Sequence, residues 1–256
     1  MTDMDATTRA AVAELLLTLA DDEFVLGFWD SEWTGIAPML EEDVATSSIA
    51  QDEIGHAKAW YELLAALTDD DPDRIAFGRE PAAYRHAALM NYPRTDWAFT
   101  VARRFLYETA DAIRLEALSR SSNAEIAGLA GKMRREETYH LLHWSAWVRR
   151  LAEGGQNTQA RLVAALHRLW PDAEAIFTPL ADEAALVQAG ILPVGLNAMR
   201  TAWHKRVATE LGSLGLARPA TPAVVRADGR TARTDDFLWL WGEFTSVARS
   251  DPGATW

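Results

Sequence analysis

The chain has 256 residues, 49% of them apolar, and a formal net charge of -12. That is enough apolar material for one sizeable core or two small ones. The acidic balance disfavours nucleic acid and anionic lipid, and the absence of cysteine excludes disulfides and cysteine-held iron–sulfur clusters, with a cytoplasmic location as the default.

The N-terminal stretch MTDMDATTRAAVAELLLTLADDEF has no basic start and its apolar run is broken by acids, so it does not read as a signal peptide. It opens a first helix over about 7–30, with Val12, Leu15, Leu16, Leu19, Val25, Leu26 and Trp29 at helical spacing. TGIAP (34–38) interrupts it, and a second helix runs from about Pro38 to Leu67. TDDDPDR (68–74) reads as a turn and 75–94 as irregular. Thr95 or Asp96 can cap a third helix to about Arg120. After the joint Ser121-Ser122-Asn123, a fourth helix runs to Glu153 and stops at Gly154-Gly155. A fifth covers about 156–178 and must bend or restart near Pro171, and a sixth spans about 193–213. Residues 214–234 read as loop, with VVRADGRTA a candidate hairpin, before a last helix over Asp235–Arg249. No run of 18 apolar residues exists to span a membrane. The expected fold is all-α: one ferritin-like domain over 1–256, with a four-helix core over about 7–153 and C-terminal helices and loop over about 156–256. The long second-to-third connection among otherwise short joints is what suggests that arrangement.

Two stretches carry chemistry. IAQDEIGHAKAW (49–60) holds Glu53 and His56, and RREETYHLLH (134–143) holds Glu137 and His140. Three residues turn a helix by about 300°, so each acid and histidine project from one face and can share a metal ion. Carboxylate plus imidazole suits iron or manganese. Di-iron carboxylate bundles take one Glu-x-x-His from each of two helices and one Glu from each of the others. Here Glu23 lies in the apolar stripe of the first helix and Glu108 in that of the third. The candidate metal set is therefore Glu23, Glu53, His56, Glu108, Glu137 and His140. Asp52, Asp111 and Glu136 sit beside these ligands, either to orient the histidines or as surface acids. Two other readings stand beside the metal set. The pairs could be ordinary i,i+3 contacts on wet faces, or they could form a metal-free polar core in which Arg104, one turn before Glu108, neutralises the carboxylates. His143 is a packed or exposed histidine or a further ligand. His86, His167 and His204 have no ligand-spaced acid. Eleven tryptophans fit buried helix contacts or a partner interface.

The stretches SSIAQDEIGHAKAWYELL, NYPRTDWAF, RREETYHLLHWSAWVRRL and DDFLWLWGEFTSVARSDPGATW resemble the ferritin-like subunits of bacterial phenylacetyl-CoA epoxidase, over nearly the whole chain. Length and the Trp-ended C-terminus resemble its C-type subunit, since the A-type paralogue is typically longer. The resemblance implies a multicomponent monooxygenase of phenylacetate catabolism. In it the A-type paralogue carries the catalytic di-iron centre, a small subunit bridges, and a separate flavin and iron–sulfur reductase delivers electrons from NADPH. The complex converts the ring of an acyl-CoA substrate to a 1,2-epoxide. It further implies that the C-type subunit scaffolds its paralogue and has largely lost the ligands, whereas this sequence keeps a complete set. The alternatives are a catalytically competent di-iron oxygenase subunit, and a ferritin-like iron oxidase or manganese catalase.

Overall fold

The computed structural model describes residues 4–220 and 226–251, and every regular element among them is helical. Helix α1 (Ala6–Ser31) starts where the Asp5 carboxylate accepts from the backbone N of Thr8 at 2.8 Å. Helix α2 (Leu40–Thr68) ends at Asp69, whose φ of 55° places it in the left-handed region. The two run antiparallel. Arg9 reaches the carbonyl of Leu67, Glu23 faces His56, and the hydroxyls of Thr34 and Ser47 meet at 2.8 Å.

The acidic run after α2 is not only a turn. Asp71 caps a six-residue helix, α3 (Pro72–Phe77), with Pro72 pre-set at its first position. Six residues are too few to show an apolar period, so the segment looks like a turn in sequence. Two 3-10 turns, Pro81–Ala83 and Ala88–Asn91, follow. Helix α4 (Trp97–Leu118) begins at Asp96, which accepts from the backbone N of Phe99. Helix α5 (Ala124–Glu153) begins at Asn123, which accepts from the backbone N of Glu125 and Ile126. These two are also antiparallel: Trp97 packs on Trp144 and Trp147, and Arg134 donates to Ser119 at the other end.

Helix α6 (Gln156–Ala173) runs through Pro171 and then tightens into a 3-10 turn, Glu174–Phe177. Proline ends the α-helix two residues later rather than at its own position. A second short helix without a readable period, α7 (Glu183–Gln188), precedes α8 (Leu196–Ser213). The candidate hairpin at 224–232 lies partly outside the described residues, and the described part is turn, not strand. Helix α9 (Asp235–Ser250) is capped by Thr234.

These elements form two compact units: Met1–Arg94 with Arg230–Trp256, and Thr95–Gly229. In the first, α9 covers α1 through Phe244 against Phe24 and Phe28, and through Trp239 stacked on Trp29. In the second, α4 is flanked by α5, α6 and α8, with Trp203 of α8 stacked on Trp170 and donating to Thr109 of α4. Trp29, Trp60, Trp144, Trp170 and Trp203 are fully buried, which makes these five part of the core. No helix among the described residues is long and apolar enough to cross a membrane.

The first unit is held together around two buried acids of α1. Asp21 accepts from Tyr61, Arg79 and the backbone N of Arg85. Asp22 accepts from the backbone N of Ala87 and from Arg230. Next to them His86 is fully buried against the ring of Phe237. Asn91 donates to Ala232, which leaves its Oδ1 to accept from His86 Nε2 at 2.9 Å. His86 is thus neutral, with its pKa held well below the ordinary value by burial first and then by Arg233 and Arg230, against the opposing pull of Asn91 and Asp22.

Two outcomes follow. A Cβ on Gly27 would lie 2.9 Å from the Ile54 side chain and 3.1 Å from both Ala50 O and Glu53 Cβ, whereas one on Gly128 meets nothing within 4 Å. In urea unfolding, Gly27→Ala should cost about 1–3 kcal/mol, and Gly128→Ala should gain about 0.5–1 kcal/mol. For His86 the folded state resists a proton that the unfolded chain takes up near pH 6.5. Its contribution is constant above that pH and is lost as pH falls towards the lowered folded pKa, with a slope of up to about 1.4 kcal/mol per pH unit. His86→Gln should remove this part of the acid destabilisation, read from unfolding free energies between about pH 7.5 and about pH 5.

Candidate functional site

In the α1–α2 pair Glu23 meets His56, and Glu53 lies one turn before His56 on α2, its Cβ close to Gly27 of α1. Glu53 and His56 share the face of α2 turned to α1, as i,i+3 spacing requires. All three are buried, and His56 Nδ1 lies 3.3 Å from Glu23 Oε2. Gly27, one turn beyond Glu23, is what lets the α2 backbone approach here.

The α4–α5 pair repeats the pattern. Glu108 comes from α4 and Glu137 and His140 from α5, all buried. Each presents one ligand atom, and these atoms lie within 4.8 Å of one another. His140 Nδ1 is 3.2 Å from Glu137 Oε1. Two carboxylates and an imidazole, clustered and buried, fit the donor set of a divalent iron or manganese ion. Beside them Arg104, fully buried, donates through Nη2 to Glu108 Oε1. The guanidinium also lies 5.7 Å from the Trp144 ring and 5.8 Å from the Tyr107 ring.

The neighbouring acids differ. Asp111 is buried and accepts from Arg114, which also donates to the Tyr107 hydroxyl at 3.1 Å. It is not a surface acid. Asp52 and Glu136 are half-buried. His143 is half-buried, edge-on to Trp144 at 4.9 Å, and His167 is exposed. His204 pairs with the fully buried Glu174 at 2.7 Å, beside Arg200, and burial lowers its pKa. This trio had no signal in the sequence, because the partners lie 26 and 30 residues apart. A cavity of about 440 Å³, bordered by Glu116, Arg134, Leu142, Arg206 and Glu210, reaches Glu137 from the surface of the second unit.

The whole chain, residues 1–256, matches the model of a family described as Phenylacetic acid catabolic protein. Two relatives come from Escherichia coli (strain K12), and both are components of 1,2-phenylacetyl-CoA epoxidase. The chain is 27% identical to the C-type component over 241 residues, covering 94% of this chain and 97% of that protein. It is 27% identical to the A-type component over 166 residues, covering 64% of this chain and 52% of that protein.

Proposed function

Because this chain belongs to the Phenylacetic acid catabolic protein family, we propose that it is the C-type subunit of a 1,2-phenylacetyl-CoA epoxidase in phenylacetate catabolism. The observation that carries this reading is coverage: the match runs nearly end to end along the C-type relative but along about half of the A-type one. In this reading the chain is a single ferritin-like domain whose core helices are α1, α2, α4 and α5. It scaffolds an A-type paralogue in the cytoplasm. A bridging subunit and a flavin and iron–sulfur reductase complete the assembly, and the acyl-CoA substrate is handled at the level of the complex.

The metal ligands we assign are Glu23, Glu53, His56, Glu108, Glu137 and His140. Iron held there would supply oxygen activation. The protein's own contribution is to keep the carboxylates buried, close and aimed by their helices. Asp111, fixed by Arg114, holds its stretch of α4 in place next to Glu108. The complete ligand set favours a second reading, in which this subunit is itself a competent di-iron oxygenase. A ferritin-like iron oxidase or manganese catalase is the third, and it needs neither reductase nor acyl-CoA.

Co-expression with the A-type paralogue of the same organism tests the main reading. A stable complex is expected that, supplied with the bridging subunit, the reductase, NADPH and O2, turns over phenylacetyl-CoA only when both chains are present. Only homo-oligomers, with no binding of the paralogue, would overturn it. Ferroxidase or catalase activity of the isolated chain without any reductase would favour the third reading.

A further inference from the structure

Within the α4–α5 pair one carboxylate of the ligand cluster is already engaged by a buried guanidinium. Glu108 accepts from Arg104 and Asp111 from Arg114, Glu137 lies beside Glu108 and His140, and all of these side chains are buried. Arg114 is taken up by Asp111 and Tyr107. Arg104 holds Glu108, one of the residues whose ligand atoms cluster within 4.8 Å. A guanidinium stays protonated at any working pH, so this positive charge is permanent. A metal ion would need the Glu108 carboxylate that Arg104 already occupies.

We propose that Arg104 is the resident counter-cation of Glu108 and competes with a divalent metal ion for that carboxylate. The protein thereby keeps Glu108 buried and neutralised without metal, and metal entry at this half of the set requires Arg104 to let go of Glu108. The proposal rests on the reading of Glu108, Glu137 and His140 as metal ligands. It sharpens that reading, because it makes Arg104 the residue that sets how strongly they bind.

The test uses the full chain, stripped of metal by chelation and titrated with Mn²⁺ by calorimetry and by the resonance signal of free Mn²⁺. Arg104→Gln and Arg104→Leu should each bind Mn²⁺ at least about tenfold more tightly than the unmodified protein, because a like charge has been removed beside the site. Arg104→Lys, which keeps the charge, should stay near the unmodified value. Metal-free Arg104→Gln should melt lower than the unmodified protein, and added Mn²⁺ should raise its melting temperature by more. Equal or weaker Mn²⁺ binding by the neutral variants, or no binding by any form, would overturn the proposal. Should the neutral variants fail to fold, diamagnetic Zn²⁺ can be titrated into the unmodified protein while the Arg104 side-chain Nε–H resonance is followed. A shift of that resonance on saturation is expected, and its absence would sink the idea. Failure of the family-level reading would appear separately, in co-purification with the paralogue, which does not involve Arg104.

Discussion

Three consecutive acids of α1, Asp21, Asp22 and Glu23, are all buried, and this constraint organises the first unit. Successive residues on a helix point about 100° apart, so three in a row sweep most of the circumference. A buried carboxylate left without a partner costs several kcal/mol or more. Counter-groups must therefore arrive from three directions. They come from α2 through Tyr61 and His56, from the irregular segment after α3 through Arg79 and the backbone N of Arg85 and Ala87, and from the approach to α9 through Arg230. The stretch from Gly78 to Arg94 has little regular structure. Its place is set by those acids, by the cation of Arg79 over Tyr84, and by Arg233 donating to the carbonyls of Pro81, Tyr84 and Arg230.

What could be read in advance follows from the range of each interaction. The long helices were legible because their apolar period repeats over many turns and their ends carry local signals: Asp96, Asn123, Gly154-Gly155 and Thr234 act within four residues of themselves. Helices α3 and α7 were not, because one and a half turns hold no period. The two Glu-x-x-His pairs were visible for the same local reason, and Glu23 and Glu108 stood out as acids in apolar stripes. Asp21 and Asp22 show in sequence only as acids that break the apolar run. Their partners lie 58 and 208 residues away, a distance at which sequence spacing says nothing. The same holds for Glu174 with Arg200 and His204.

The two helix pairs present the same residue pattern but meet the cost of burying it differently. In α1–α2 the arginines serve Asp21 and Asp22, the acids outside the ligand pattern, and Glu23 faces His56. In α4–α5 one arginine serves the non-ligand acid, Asp111, and another engages a patterned acid, Glu108. Both guanidiniums of the second pair lie on α4 itself, within four residues of their acids, so the neutralisation folds with the helix. The face of Tyr107 near both cations and that of Trp144 near Arg104 add favourable quadrupole contacts. Glu108 and Asp111 are thus met by arginines of their own helix, whereas α1 depends on segments remote in the chain.

This difference bears on what a retained ligand pattern means. A buried carboxylate needs positive charge or hydrogen-bond donors nearby, but the requirement does not specify a metal ion: a guanidinium with its fixed fork of donors serves as well. A chain that had given up metal chemistry could keep Glu108 once Arg104 was in place, and removing that acid would then strand the arginine. Under that condition Glu108 persists because the arginine needs it. The ligand residues alone therefore do not separate a working centre from a neutralised polar core, since both demand the same acids at the same spacing. The discriminating residue is the one that carries no ligand atom, and in this protein it lies one helical turn before Glu108.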